Sequence, residues 1–160
     1  MCTGEFTKHK GADTFRILFL DLGNARLSQM AEAIANAMNL PRFVFSSAGI
    51  APQPLDAHTV EFMTRRGIDL SRQTSKSLEQ VPEWDHYQVV IALSAEALQA
   101  LPAHAKKTIC LTWPAPDPAH SGDLSEDRTA SFEAAFQYLE SHIRELVAAI
   151  LEQPTNEKTP

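Results

Sequence analysis

The stretch Ile17-Leu18-Phe19-Leu20-Asp21-Leu22-Gly23-Asn24-Ala25-Arg26-Leu27-Ser28-Gln29-Met30-Ala31-Glu32-Ala33 passes from an unbroken apolar run through a Gly-Asn turn into an alanine-rich segment. It reads as a strand covered on both faces, a turn, and a helix. Such a turn aims successive backbone N–H groups and the positive helix end at one spot, which makes an anion cradle of Asp21, Leu22, Gly23, Asn24, Ala25, Arg26, Leu27 and Ser28. Alone, the turn is a weak signal, because many strand-to-helix turns carry Gly and Asn only to make the bend.

Outward from this stretch, apolar runs of strand length alternate with segments of helical period. Strands are expected at 15–21, 43–46, 87–93 and 108–113, and helices at 28–39, 55–66, 94–101 and 127–151. The last helix carries Phe132, Phe136, Leu139, Ile143, Leu146 and Ile150 on one face. The second ends with Arg65 and Arg66 in the last turn and Gly67 as a left-handed cap. Ala31, Ala33, Ala35 and Ala37 suggest close packing of the first helix. The alternation predicts an α/β domain: three layers, with a four-stranded parallel sheet and helices on both faces. In such a sheet the binding crevice lies beyond the carboxyl ends of the strands. That places it at the loops after Leu20, Ser46 and Trp113 and at the Leu93-Ser94 turn. The domain is expected over 15–151, with loose tails at 1–14 and 152–160.

The 160 residues are 44% hydrophobic and 21% charged, which fits one globular domain and excludes disordered and low-complexity readings. Fourteen Lys and Arg against 20 Asp and Glu leave a net charge of −6 and no basic field, so nucleic acid is not an expected partner. No apolar run approaches a membrane span, and no membrane association is expected. Cys2 and Cys110 form neither a disulfide framework nor a C-x-x-C pair, which suits a reducing cytoplasm. His9, His58, His86, His104, His120 and His142 show no metal-binding spacing. Asp117, His120 and Asp123 share one loop, but such loops are commonly only solvated, so neither metal nor cofactor is expected. Trp84 and Trp113 are expected to cover the sheet ends.

Further blocks sharpen the reading: Ser47-Ala48-Gly49-Ile50, then Gly67-Ile68-Asp69-Leu70-Ser71 with Gln73-Thr74-Ser75, then Val89-Val90 before the Leu93 turn, and Trp113 followed by Asp117-Pro118-Ala119. Together with the Gly23-Asn24 turn and Ser28-Gln29-Met30-Ala31-Glu32, they resemble the low-molecular-weight protein tyrosine phosphatases. They are closer still to the thioredoxin-coupled arsenate reductases of the same flavodoxin-like fold. The resemblance covers about residues 15 to 150. It implies a loop that begins with a nucleophilic Cys and reaches an Arg-Ser pair after five residues, with the thiolate attacking and the Arg fork stabilising the transition state.

This sequence departs from that pattern at the centre. Asp21 stands at the Cys position and Leu27 at the Arg position, and Arg26 lies one residue early. Ser94 and Leu101 stand where the reductases carry their relay cysteines. Asp117-Pro118 matches the family's general acid, but without a nucleophile the favoured reading is that Asp117 starts the loop or caps a turn and Pro118 fixes the backbone. Asp21 as an aspartyl-phosphate nucleophile fits neither haloacid-dehalogenase-like enzymes, whose second Asp would fall at Gly23, nor receiver domains, whose Asp would fall at Ser94.

The expected function is therefore a catalytically inactive homologue acting as a binding or regulatory module, with an unidentified protein partner and weak or no oxyanion binding. The alternatives are a residual phosphatase using Asp21 and Asp117, or a phosphate or arsenate sensor. Asp21 is expected to accept the loop amides as a built-in anion, with its pKa depressed by those hydrogen bonds.

Overall fold

The apolar run at 17–20 lies in an inner strand because both of its faces find cover. A computed structural model of the chain describes residues 14–103, 107–118 and 125–152. In it, β1 (Phe15–Asp21), β2 (Phe43–Gly49), β3 (Val89–Ala92) and β4 (Ile109–Thr112) form a parallel sheet in the order β2-β1-β3-β4. Side chains alternate across a strand. Ile17 and Phe19 therefore join one apolar cluster with α1 (Leu27–Asn36), α2 (Ala57–Arg65) and α4 (Ser125–Leu151), through Met30, Phe62 and Leu139 among others. Leu18 and Leu20 face the opposite cluster with Leu78, Val81 and Ala97, the last from α3 (Ala95–Gln99). The result is the expected α/β three-layer arrangement.

Several boundaries differ from expectation. β2 runs three residues further, through Ser47-Ala48-Gly49, small residues whose pairing with Phe19, Leu20 and Asp21 supplies what their side chains do not. β3 and β4 are shorter than their apolar runs. β4 is an edge strand with Ile109 57% exposed, so the expectation of cover on both faces fails there. On α1, Ala31, Ala33 and Ala35 are buried, but Ala37 lies past the last turn and is exposed.

Local signals explain the helix ends. Asp56 caps α2 through Thr59 N–H, and Ser94 caps α3 through Ala97 N–H. Gly67, at φ 82°, closes α2, with Gly67 N–H donating to Thr64 O and Ile68 N–H to Met63 O. Arg66 then lays its guanidinium 4.1 Å from the Phe136 ring centroid and pairs with Glu133 at 2.8 Å, joining α2 to α4.

Trp113 packs on Phe19 and His142, and Trp84 packs against the second cluster. Among the described residues no helix is long and apolar enough to cross a membrane. Residues 1–13 and 153–160, which hold most of the expected tails, lie outside the described residues, as do Cys2, His9, His104, His120 and Asp123.

Candidate functional site

The carboxyl ends of β1 and β3 open into a cleft of about 680 Å³. The loop of residues 21–28 forms its floor. Gln53, Pro54 and Asp56 supply one wall, and Leu93, Ser94, Glu96, Ala115 and Asp117 the other. This is the crevice expected beyond the strand ends of an open parallel sheet.

The loop is held from outside and from below. The carbonyls of Asp21, Leu22, Gly23 and Ala25 accept from the amides of Ile50, Ala51, Gln53 and Asp56. Gly49 is required where β2 passes beneath, because a Cβ there would meet Asn24 N and Gly23 C at 2.9 Å. Asn24 takes the left-handed conformation, at φ 51°, and turns a fully buried side chain under the loop. Its amide group donates to Ser28 Oγ at 2.8 Å and to Ser47 Oγ at 3.0 Å. Its Oδ1 accepts from Lys76 N–H and Gln29 Nε2. The Ser47 hydroxyl donates to Glu32 Oε1 at 2.6 Å, and Gln29 Oε1 accepts from Gln73 Nε2 at 2.6 Å. Among the described residues no buried side-chain N or O atom lacks a hydrogen-bond partner. A low-dielectric network satisfied in this way fixes one loop shape.

On the cleft side, Asp21 is turned into its own loop. One carboxylate oxygen accepts from Asn24 N–H at 2.5 Å and the other from Ser28 N–H at 3.0 Å. The expected capture of loop amides is thus present, but the expected depression of its pKa is not. Burial holds the Asp21 carboxyl above its ordinary range, and the nearby charge of Asp117 adds to the rise. The two amides pull the other way without outweighing it.

Arg26 reaches across the cleft mouth. Its guanidinium lies 3.4 Å from Asp117 Oδ1 and 3.9 Å from Asp56 Oδ1, with all three side chains partly exposed. Leu27 is buried in the floor, and Leu22 is 45% exposed at the rim.

Six of the eight expected loop residues line the cleft: Asp21, Leu22, Gly23, Ala25, Arg26 and Leu27. Asn24 and Ser28 do not, and serve beneath it. Asp117 does reach the cleft, opposite the loop. Cys110 is on the edge strand and not in the cleft lining, and burial raises its thiol pKa. Gln53, Pro54, Asp56 and Glu96 were not singled out from sequence. Asp56 had a signal, Asp followed three residues later by Thr59 at a helix start, whereas Glu96 looked like an ordinary helix-surface acid. Among the described residues no group of three or more His, Cys, Asp or Glu is placed to hold a metal ion.

Comparison with known proteins agrees with this fold. The family described as low molecular weight phosphotyrosine protein phosphatase matches residues 16–156. The chain is 34% identical over 121 residues to an arsenate reductase of Bacillus licheniformis, covering 73% of this chain and 84% of that one. It is 30% identical over 132 residues to an arsenate reductase of Bacillus subtilis, covering 81% and 92%. A solved arsenate reductase in its oxidized state superposes with a TM-score of 0.71 at 25% identity, over 84% of this chain and 98% of that one.

Proposed function

The chain belongs to the low molecular weight phosphotyrosine protein phosphatase family, and from that premise we propose that it is a catalytically inactive member. In this reading it is a binding or regulatory module that uses the cleft without chemistry. One observation carries it: the floor of the cleft holds a carboxylate bound to its own loop amides where the resemblance requires a thiolate, with Leu27 where it requires the guanidinium fork.

Covalent attack by Asp21 has little support. A carboxylate nucleophile needs its charged form free, and here the oxygens are engaged while burial works against the charge. Arg26 does not stand in for the missing fork, since its guanidinium is shared between Asp56 and Asp117. Asp117, the remaining match to a general acid, serves instead as an ion-pair partner across the mouth. Oxyanions are expected to bind weakly or not at all, because the Asp21 carboxyl already occupies the Asn24 and Ser28 amides of the cradle. A protein partner and a cytoplasmic setting complete the reading, the latter supported by the sparse cysteines.

The test is turnover. Loss of a covalent nucleophile and of a transition-state clamp each removes orders of magnitude in rate. Hydrolysis of para-nitrophenyl phosphate and thiol-coupled reduction of arsenate are both expected at background. Hydrolysis that Asp117→Ala abolishes would establish the residual-phosphatase alternative instead.

A further inference from the structure

The side of α4 that looks toward α1 is longer than α1 itself. Phe136, Glu140, Arg144, Val147 and Leu151 follow one another at steps of four, four, three and four, the spacing of a helix side that packs on another helix. All five line a groove of about 520 Å³. α1 has 10 residues against 27 in α4 and reaches the groove only through Ile34. The rest of the facing wall is the turn after α1, with Met38 and Leu40, together with Ile68. The second half of this stripe therefore has the pattern of a helix contact with no helix beside it among the described residues.

The end of α4 is also apolar on every side. No polar residue stands from Leu146 to Leu151, and although Val147 is buried, Ala148 and Ala149 are exposed and Leu151 is 57% exposed. A helix turn without a polar side is normally covered, and an apolar patch at the mouth of an apolar groove marks a contact surface.

Charge narrows what covers it. Glu140 and Arg144 are the charged side chains of the groove lining among the described residues. They pair with each other at only 3.4 Å, with 38% and 64% of their side chains exposed, so both heads stay open to a second partner. One acid beside one base selects neither an acidic nor a basic partner. It selects a surface that offers the same two charges in reverse, and an antiparallel second copy of α4 does so: across a two-fold axis, Arg144 of each chain meets Glu140 of the other.

We propose that this groove is an interface between two copies of the chain, packed antiparallel through the second halves of their α4 helices. Leu151 of each copy passes from solvent onto the apolar groove wall of the other. Leu40 lies just ahead of β2, so the interface is toward the amino ends of the strands, and the clefts at their carboxyl ends stay open in both copies. The dimer is a weak one, because a contact between two helix segments is smaller than a standard protein interface. The inference does not depend on the chemistry of the cleft.

The test is sedimentation equilibrium of the full chain from micromolar to millimolar concentration. The mass is expected to rise from monomer to dimer and no further, since a two-fold contact closes on itself. Leu151→Glu, at an exposed position, should return the protein to monomer. The charges give a sharper reading. Glu140→Arg leaves two bases on this side of α4 and Arg144→Glu leaves two acids, so each variant alone should self-associate at least about fivefold more weakly than the native protein. An equimolar mixture of the two should form a heterodimer, and the double variant should dimerise like the native chain. An ion pair that served only within its own helix cannot produce association on mixing. Circular dichroism of each variant separates loss of the interface from loss of the helix.

The proposal is overturned if the native protein stays monomeric throughout, if Leu151→Glu leaves dimerisation unchanged, or if the two charge variants do not associate when mixed.

Discussion

The loop of residues 21–28 has two sides that differ in how much they are constrained. Beneath it, Asn24 and Ser28 are fully buried and share a closed network with Gln29, Glu32, Ser47 and Lys76. Above it, Arg26, Asp56 and Asp117 are partly exposed and meet at 3.4 to 3.9 Å. The underside determines the shape of the loop, and the upper side determines what the loop can do. Because the shape is secured from below, the cleft-side residues can change identity without unfolding the strand-turn-helix unit. This is how a chain can keep a family's architecture while lacking the thiol and guanidinium that its chemistry requires.

Three substitutions test that contrast. Asn24→Ala has the largest expected effect. It removes the amide that bonds the buried Ser28 and Ser47 hydroxyls and the oxygen that accepts from Lys76 N–H and Gln29 Nε2, and it leaves alanine in a left-handed conformation. A loss of about 2–4 kcal/mol should appear in urea unfolding as a lower midpoint at unchanged slope. A cost below about 1 kcal/mol would mean that the underside does not control the loop.

Asp21→Asn should act less strongly and mainly through pH. The folded carboxyl titrates above its unfolded value of about 3.9, so its favourable contribution is complete below that value and is lost as pH rises through the folded one. The native protein should therefore lose stability relative to Asp21→Asn as pH rises from about 4 toward neutrality. Thermal unfolding of both proteins across that range reads the sign, and the opposite slope would show that the two amides outweigh burial.

Arg26→Ala should matter least, at about 0.5 kcal/mol or less, because its partners are solvated and its distances long. A cost near 2 kcal/mol would place the cleft mouth in the same class as the network below it.

The sequence made β1 legible to the residue, since four consecutive apolar side chains admit only a two-sided burial. It also identified the cap at Gly67 and the face of the long helix, where local chemistry decides the outcome. β2 was read short because Ser47, Ala48 and Gly49 carry no strand signal of their own, and their extended form comes from β1 beside them. The exposure of β4 follows from its place at the sheet edge, which no local pattern states. The site shows the same division. Asp21 bonds to amides three and seven residues away and was foreseen. The pairing of Arg26 with Asp56 and Asp117 joins separate loops and was not. The direction of the Asp21 shift was misread because its hydrogen bonds are local, whereas burial is supplied by the whole fold.

The strand order has a consequence for how the chain is made. Among the described residues β1 is synthesised before the other strands, yet of its two neighbours in the sheet one, β3, begins only at Val89. At synthesis rates of about 5–20 residues per second, the side of β1 that β3 will cover waits roughly 4–15 seconds for its partner. Ile17, Leu18, Phe19 and Leu20, all fully buried in the finished protein, spend that interval beside an open edge. The nascent chain is thus most exposed to aggregation between the emergence of β1 and that of β3, and a holdase that recognises short apolar strands would find its target in this window.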